Sequence, residues 1–68
     1  MTLTQVRKKG NVRIVHVDDA IKQRCSSFGL CEQCLVHVSA VVCNGYQMIV
    51  CDDRLMAVPE WICRGIEI

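Results

Sequence analysis

Residues 25–51, CSSFGLCEQCLVHVSAVVCNGYQMIVC, decide how this chain folds. The stretch holds five of the six cysteines. Its second part, residues 34–51, contains two runs rich in β-branched residues on either side of Asn44 and Gly45. Both turn residues tolerate a positive φ, so they predict a two-residue type I′ turn. We therefore expect a β-hairpin over residues 34–51, with a cysteine cluster at its entrance.

The predicted turn also sets the register of the hairpin. Counting outwards from it gives the cross-strand pairs Cys43 with Tyr46, Val41 with Met48, Val38 with Cys51, and His37 with Asp52. One face is then almost entirely apolar and is the better candidate for the core: Cys34, Val36, Val38, Ala40, Val42, Ile49 and Cys51. The opposite face is mixed. A slip of one residue would expose the whole apolar set, so burial reinforces this register.

The length of 68 residues predicts a single small domain, residues 1–68. A chain of this size buries only about 60% of its unfolded surface and usually needs a staple, such as a metal, disulfides or a second subunit. The hydrophobic fraction of 51% argues against disorder. The aromatic fraction is only 4%, so aliphatic residues and cysteine must fill the core.

The sequence contains no secretory or membrane-spanning pattern. Residues 1–9 are not followed by an apolar stretch of secretory length, and no run approaches the roughly 20 apolar residues of a membrane span. We therefore expect a cytoplasmic protein with no membrane partner. In a reducing compartment the six cysteines favour metal ligands or buried thiols over disulfides. A disulfide framework stays open as an alternative, with fifteen connectivities for six cysteines.

Local signals predict further elements before the hairpin. Residues 2–7 and 11–17 can form a first hairpin around a turn at residues 8–11. Asp18 is a candidate N-cap for a short helix. The core-facing stripe of that helix would be Ile21, Cys25 and Phe28. Gly29 would end the helix in the C′ position, with Leu30 closing it against the core.

After the hairpin, Asp52 and Asp53 predict a second tight turn that leads into a strand over residues 54–58. Pro59 suits the first position of a helical turn, and residues 66–68 form a short terminal strand. Together these elements predict an α+β fold: a small curled antiparallel sheet of four or five short strands, barrel-like, with one short helix between strands two and three.

The Cys-x-x-Cys motif at Cys31 and Cys34 is the strongest chemical signal. Two thiolates at this spacing can hold one tetrahedral ion. We expect a zinc site with Cys25 as third ligand and Cys63 as fourth; Cys43, Cys51 and His37 are the other candidates for the fourth position. Two alternatives stand beside it. The cysteines can act as small core residues, or the motif can be a redox pair, although such pairs usually begin a helix and this one follows a helix end.

Charge is distributed unevenly along the chain. Residues 1–24 carry six cations against two carboxylates, a net of +4, whereas residues 25–68 carry two against five, a net of −3. Four of these cations would lie on the predicted first hairpin: Arg7, Lys8, Lys9 and Arg13. They predict a small non-catalytic regulatory protein that contacts nucleic acid or a nucleoprotein through a basic N-terminal hairpin.

A second hypothesis fits the same sequence. The protein would be an inhibitor or adaptor that binds a larger enzyme or complex through a sheet edge and Trp61, since Trp is enriched at protein contacts. Pairing of two such edges would instead give a homodimer. His16 and His37 lie on predicted strands without a nucleophile or oxyanion device beside them, so neither indicates an enzyme.

Overall fold

The main sheet of the molecule is antiparallel and open. In chain order the elements are β1 (Gly10–Arg13), β2 (His16–Val17), α1 (Lys22–Ser27), β3 (Leu35–Cys43), β4 (Tyr46–Cys51), β5 (Arg54–Pro59), α2 (Glu60–Cys63) and β6 (Ile66–Glu67), with 3-10 helices at Leu3–Gln5 and Asp19–Ile21. The computed structural model describes residues 1–40 and 43–68. The strand order is β1-β3-β4-β5 in the main sheet, while β2 pairs with β6 in a second, two-stranded sheet. The structure thus confirms a small α+β fold with a short helix, but its sheet is not closed into a barrel.

The central hairpin forms where the sequence predicts it, with one correction to the register. Asn44 and Gly45 have φ values of 55° and 83°, and Cys43 pairs with Tyr46 as expected. The register then shifts between Val38 and Ala40 and again between Ala40 and Cys43. The predicted partners further from the turn are therefore wrong. The observed pairs are Ala40 with Met48, Val38 with Ile49 and His37 with Val50. The predicted positions of Val41 and Val42 lie outside the described residues.

Because the two shifts add up to two residues, the faces of the hairpin survive the change of partners. Val36, Val38 and Ile49 are at most 2% exposed, on the face that the sequence assigns to the core. Ala40 is half-buried opposite Met48. The full core consists of Leu3, Val6, Ile14, Val17, Ile21, Cys25, Leu30, Val36, Val38, Ile49, Cys51, Val58, Ile62, Cys63 and Ile66.

The predicted first hairpin is wrong. Residues 2–7 do not pair with residues 11–17. Leu3–Gln5 is instead a 3-10 helix, whose N-terminus is capped by a hydrogen bond from Thr2 N to Gln5 Oε1 (2.8 Å). Leu3 and Val6 are three residues apart, which places both on one side of a helical turn, and both are buried. A strand would have pointed them to opposite faces. Core burial therefore overrides the β-propensity of this segment.

The predicted strand over residues 11–17 divides in two because the chain changes partners within it. β1 pairs with β3, and Ile14 N still donates to Cys34 O at 2.8 Å. At the next residue, Val15 N donates to Glu67 O at 2.8 Å, and β2 continues along β6. The switch buries Ile14 and Val17, which a single regular strand would place on opposite faces.

The helix signals are confirmed. Asp18 caps the 3-10 turn Asp19–Ile21 that leads directly into α1, because its Oδ1 accepts from Ala20 N at 3.1 Å. Gly29 has a φ of 79°, and Leu30 N donates to Cys25 O at 2.9 Å, which together with Gly29 N to Ser26 O closes a Schellman motif. The turn at Asp52 and Asp53, the helical turn after Pro59 and the terminal strand also form. In the described part of the chain, no helix is long and apolar enough to cross a membrane.

Candidate functional site

The outer face of the β4–β5 hairpin is apolar and partly open to solvent. Tyr46, Leu55 and Ala57 are exposed on it, and Met48, Val50 and Pro59 are half-buried. Three cross-strand pairs lie on it: Tyr46 with Pro59, Met48 with Ala57, and Val50 with Leu55. We call these six residues the β4–β5 surface. Tyr46 is 51% exposed and Leu55 is 61% exposed. Antiparallel sheets that face water usually carry polar residues on the solvent side, so this surface departs from the common pattern.

The β4–β5 surface adjoins a free sheet edge. Cys51 and Arg54 flank the two-residue turn, so they form a hydrogen-bonded pair. Pairing alternates along an antiparallel ladder, and the N–H and C=O groups of Leu55 and Ala57 therefore point away from β4. β5 is the last strand of the sheet, and no hydrogen bond from a described residue reaches these groups.

Trp61 lies on α2 at the end of the β4–β5 surface that carries Tyr46. Glu60 N donates to Gly45 O at 2.8 Å, which holds the start of α2 against the turn between β3 and β4. Trp61 is 53% exposed, while its neighbours Ile62 and Cys63 are buried. The sequence left open whether Trp61 belongs to the core or to an interface. In the structure, more than half of its surface is exposed to solvent.

The basic residues do not form one cluster. Arg7, Lys8 and Lys9 precede β1, whereas Arg13 ends it, roughly 13 Å away at 3.3 Å per strand residue. Arg13 Nη1 donates to Gln33 O at 3.0 Å, and Arg7 Nη1 to Thr4 O at 3.3 Å. All four side chains are exposed. None of them forms an ion pair with a described carboxylate.

The Cys-x-x-Cys motif forms a tight turn between α1 and β3. The sulfur atoms of Cys31 and Cys34 are bonded, and their Cα atoms are 5.6 Å apart. The intervening Glu32 holds the turn to the β2 strand, because its Oε2 accepts from Val17 N at 3.1 Å and lies 2.9 Å from His16 Nδ1. The Val17 N–H bond is the main reason that the pKa of Glu32 lies below its usual value.

The other two cysteines predicted as zinc ligands lie elsewhere. Cys25 and Cys63 are fully buried in the core. Burial raises the pKa of the Cys25 thiol, and burial followed by the charges of Cys25 and Glu60 raises that of Cys63 to about 12. Within residues 1–40 and 43–68, no three Cys, His, Asp or Glu side chains converge as metal ligands. The structure therefore brings the motif pair together but not the four cysteines, and zinc stays a prediction that the metal content of the protein must test.

Both histidines have polar partners. His16 lies beside Glu32, and His37 Nδ1 lies 2.9 Å from Asn11 Oδ1 on β1. The predicted pairing of His37 with Asp52 is wrong, because the register shifts bring Val50 opposite His37. These contacts are consistent with structural roles for both side chains.

Two features of the β4–β5 hairpin were not predicted from the sequence. Gln47 is fully buried on β4, where its Nε2 donates to Leu3 O at 3.1 Å and its Oε1 has no partner among the described residues. The apolar outer face was also missed. Its signal was the lack of polar alternation in residues 46–50 and 54–59, where every residue except Gln47 and Arg54 is apolar or aromatic.

Comparison with known proteins bears on the fold alone. No protein-family model matches the chain, and neither does any curated protein sequence. Among solved structures, the fold is similar to the solution NMR structure of the FeoA protein from Chlorobium tepidum, with a TM-score of 0.74 and 17% sequence identity. The alignment covers 98% of this chain and 67% of that one. Nearly the whole described fold is thus shared with that structure.

Proposed function

We propose that this chain is a non-catalytic adaptor or inhibitor that binds a larger protein by adding one extended segment of that protein to β5. The observation that carries the proposal is the free edge of β5 directly beside the apolar β4–β5 surface. An added strand gains main-chain hydrogen bonds at the N–H and C=O groups of Leu55 and Ala57. Its side chains on the outer face continue the apolar rows of the hairpin.

The exposed apolar residues of this surface favour a protein as the partner over a nucleic acid. Isolated exposed apolar residues are common on protein surfaces, but contiguous ones mark interaction sites. Here Leu55, Tyr46 and Trp61 are each more than half exposed along one hairpin and the helix that follows it. Aromatic residues in such places frequently contribute most to the binding energy.

Charge at one end of the β5 edge, beside the β4–β5 turn, favours a particular kind of bound segment. Asp52 and Asp53 are exposed at the β4–β5 turn, and neither forms an ion pair with a described residue. An added strand with Lys or Arg near this turn would meet two carboxylates and one guanidinium, that of Arg54, a net charge of −1. We therefore infer that the bound segment has an apolar centre and a basic end.

Ala57→Pro tests the proposal, because it removes a backbone N–H that points away from the sheet. Proline is tolerated where the strand N–H faces solvent, so the variant should stay folded by circular dichroism. The matched control is Ala57→Val, which keeps the N–H group. In pull-downs from extracts of the protein's own cells, a partner protein should be retained by the wild type and by Ala57→Val, and lost by Ala57→Pro. Retention by the proline variant would contradict strand addition.

A nucleic acid is the second candidate, and one observation favours it. Arg7, Lys8 and Lys9 are consecutive exposed cations without a described carboxylate partner. Each phosphate contact contributes about −0.9 to the slope of log K against log salt on duplex DNA. If both lysines contact phosphate, changing Lys8 and Lys9 together to Ala should flatten that slope by about 1.8.

The control for this test is Lys22→Ala, which removes a cation already paired with Asp19 on the helical side of the molecule. It should leave the salt dependence unchanged. Absence of binding to duplex DNA and to RNA at low salt would rule out this candidate. The same pull-downs, performed with and without nuclease, separate a nucleic acid from a protein partner.

A further inference from the structure

The backbone around Cys31 and Cys34 is held in place by hydrogen bonds that do not involve sulfur. Gln33 N donates to Ile14 O at 2.7 Å, and Ile14 N donates to Cys34 O at 2.8 Å. Cys34 N donates to Cys31 O at 3.3 Å, which closes the turn itself. The Cα separation of 5.6 Å lies within the usual range for a disulfide. The turn can therefore hold the two sulfur atoms close together in both the bonded and the reduced state.

The two cysteine residues differ in their exposure to solvent. Cys31 is exposed, whereas Cys34 is half-buried and packs against the core. A thiol from solution can reach Cys31 more easily. In disulfide exchange the attacked sulfur keeps the new bond and the other sulfur leaves, so the structure favours attack at Cys31 with Cys34 as the leaving group.

A cavity of about 400 Å³ opens beside Cys31, between α1 and the cysteine turn. Its walls include the apolar residues Val17 and Leu30, together with Lys22, Ser26 and Glu32. The volume is within the range of small-molecule pockets. Lys22 and Glu32 give the lining one charged residue of each sign, which suits a ligand that carries both charges. Such a ligand would compete with Asp19, which lies 3.4 Å from Lys22 Nζ, and with His16, which lies 2.9 Å from Glu32 Oε2.

The remaining cysteines do not compete for this chemistry in the same way. Cys25, Cys51 and Cys63 are buried, and burial raises the pKa of all three thiols. Since the thiolate is the reactive form, these three residues are poor nucleophiles at neutral pH. Cys43 is exposed and free, but it lies at the β3–β4 turn beside Asn44 and not at the Cys31–Cys34 turn.

We propose that Cys31 and Cys34 form a redox site for low-molecular-weight thiols of the amino-acid or peptide type, which reach Cys31 through this cavity. The incoming thiolate bonds to Cys31 Sγ and breaks the Cys31–Cys34 bond. The electron pair of that bond leaves on Cys34 Sγ, which takes up a proton from water. A second thiolate then attacks the sulfur that the first thiol supplied to the mixed disulfide. Cys31 Sγ leaves as a thiolate and also takes up a proton from water. The protein gains two electrons and two protons, and two thiols become one external disulfide.

This site is independent of the strand-addition function, because it lies at the α1–β3 connection and not on β4 or β5. It also gives the Cys-x-x-Cys motif a role that does not require a helix N-terminus. Redox exchange needs only two close sulfurs and an accessible attack route.

The test uses the full chain with Cys43→Ser, which removes the other exposed thiol. The reduced protein is equilibrated with glutathione buffers of increasing oxidation, quenched with acid, alkylated and mapped by mass spectrometry. We expect Cys31 and Cys34 to lose alkylation together and reversibly, while circular dichroism stays native. With Cys34→Ser added, a glutathione adduct should accumulate on Cys31. With Cys31→Ser added instead, Cys34 should form the adduct several-fold more slowly.

Lys22→Gln tests the role of the cavity. It should slow reduction of the disulfide by glutathione, which carries two carboxylates, by at most about fivefold, the effect of one charge–charge contact in water. The rate with 2-mercaptoethanol, which carries only the charge of its thiolate, should fall less. Equal effects on both thiols would overturn the cavity as the route of entry. Failure of the folded protein to form the disulfide in the most oxidising buffer would overturn the redox site. Zinc retained through Cys31 and Cys34 in the reduced protein would overturn it as well and support the metal prediction.

Discussion

The inner and outer faces of the β4–β5 hairpin are both largely apolar, yet the inner face is more deeply buried than the outer face. On the inner face, Ile49 and Val58 are fully buried beneath the helices and the N-terminal segment. On the outer face, Leu55 and Tyr46 remain more than half exposed. Composition therefore does not decide which face becomes the core. The elements that the rest of the chain places against each face decide it.

The largest expected effect belongs to the inner face. Ile49→Ala removes buried methyl groups from the centre of the sheet and should lower the free energy of unfolding by about 2–5 kcal/mol, measured by urea denaturation. Ile49→Val is the matched control, with a loss of about 0.5–1.5 kcal/mol. If both variants were as stable as the wild type, Ile49 would not be part of a packed core, and the contrast between the faces would fail.

Local chemistry explains why much of the fold could be predicted. Asn44 and Gly45 need a positive φ, Asp18 offers an oxygen to a helix N-terminus, and Gly29 suits a left-handed C′ position. Each signal depends on only a few neighbouring residues. The turn at Asp52 and Asp53 belongs to the same class.

Non-local pairing explains the errors. The partner of β1 is β3, more than twenty residues away, and no local signal in residues 2–17 identifies it. The two register shifts in β3 likewise depend on how the sheet fits its core, so the predicted partner of His37 was wrong. The sequence could not identify β5 as an edge strand for the same reason, because an edge is defined by the order of all four strands.

The cysteines show the same division. Spacing alone predicts that Cys31 and Cys34 meet, because a tight turn brings residues three apart together. The positions of Cys25 and Cys63 depend on the packing of α1 and α2, and both enter the core. The arrangement of the cysteines was thus predictable where it depends on neighbouring residues and unpredictable where it depends on tertiary contacts.

An intermediate effect, with the opposite sign, is expected at Gln47. Its buried Oε1 has no partner among the described residues, and such a group costs about 1–3 kcal/mol. Leu3 O, which accepts from Gln47 Nε2, also accepts from Val6 N at 3.2 Å and would not be left unpaired. Gln47→Met keeps a similar volume and should raise the free energy of unfolding by roughly 1 kcal/mol.

Gln47→Ala is the control for that prediction, because it removes the same polar group but leaves a cavity. It should be destabilising. A loss of stability in Gln47→Met as well would show that Oε1 has a hydrogen-bond partner in solution, such as an ordered water. The inner face would then be partly polar, and the contrast with the outer face would be weaker.

The smallest effect on stability is expected on the outer face, and it tests what covers that face. Leu55→Ser changes an exposed side chain and should alter the free energy of unfolding by no more than about 0.5 kcal/mol. It should at the same time weaken capture of the partner protein, since Leu55 lies beside the strand-addition edge. Thermal unfolding should be measured at two protein concentrations. If a second copy of the chain covers the β4–β5 surface, the melting temperature of the wild type will rise with concentration and that of Leu55→Ser will not. Melting temperatures that are independent of concentration in both proteins leave the surface open for a different partner, as binding to a segment of a larger protein requires.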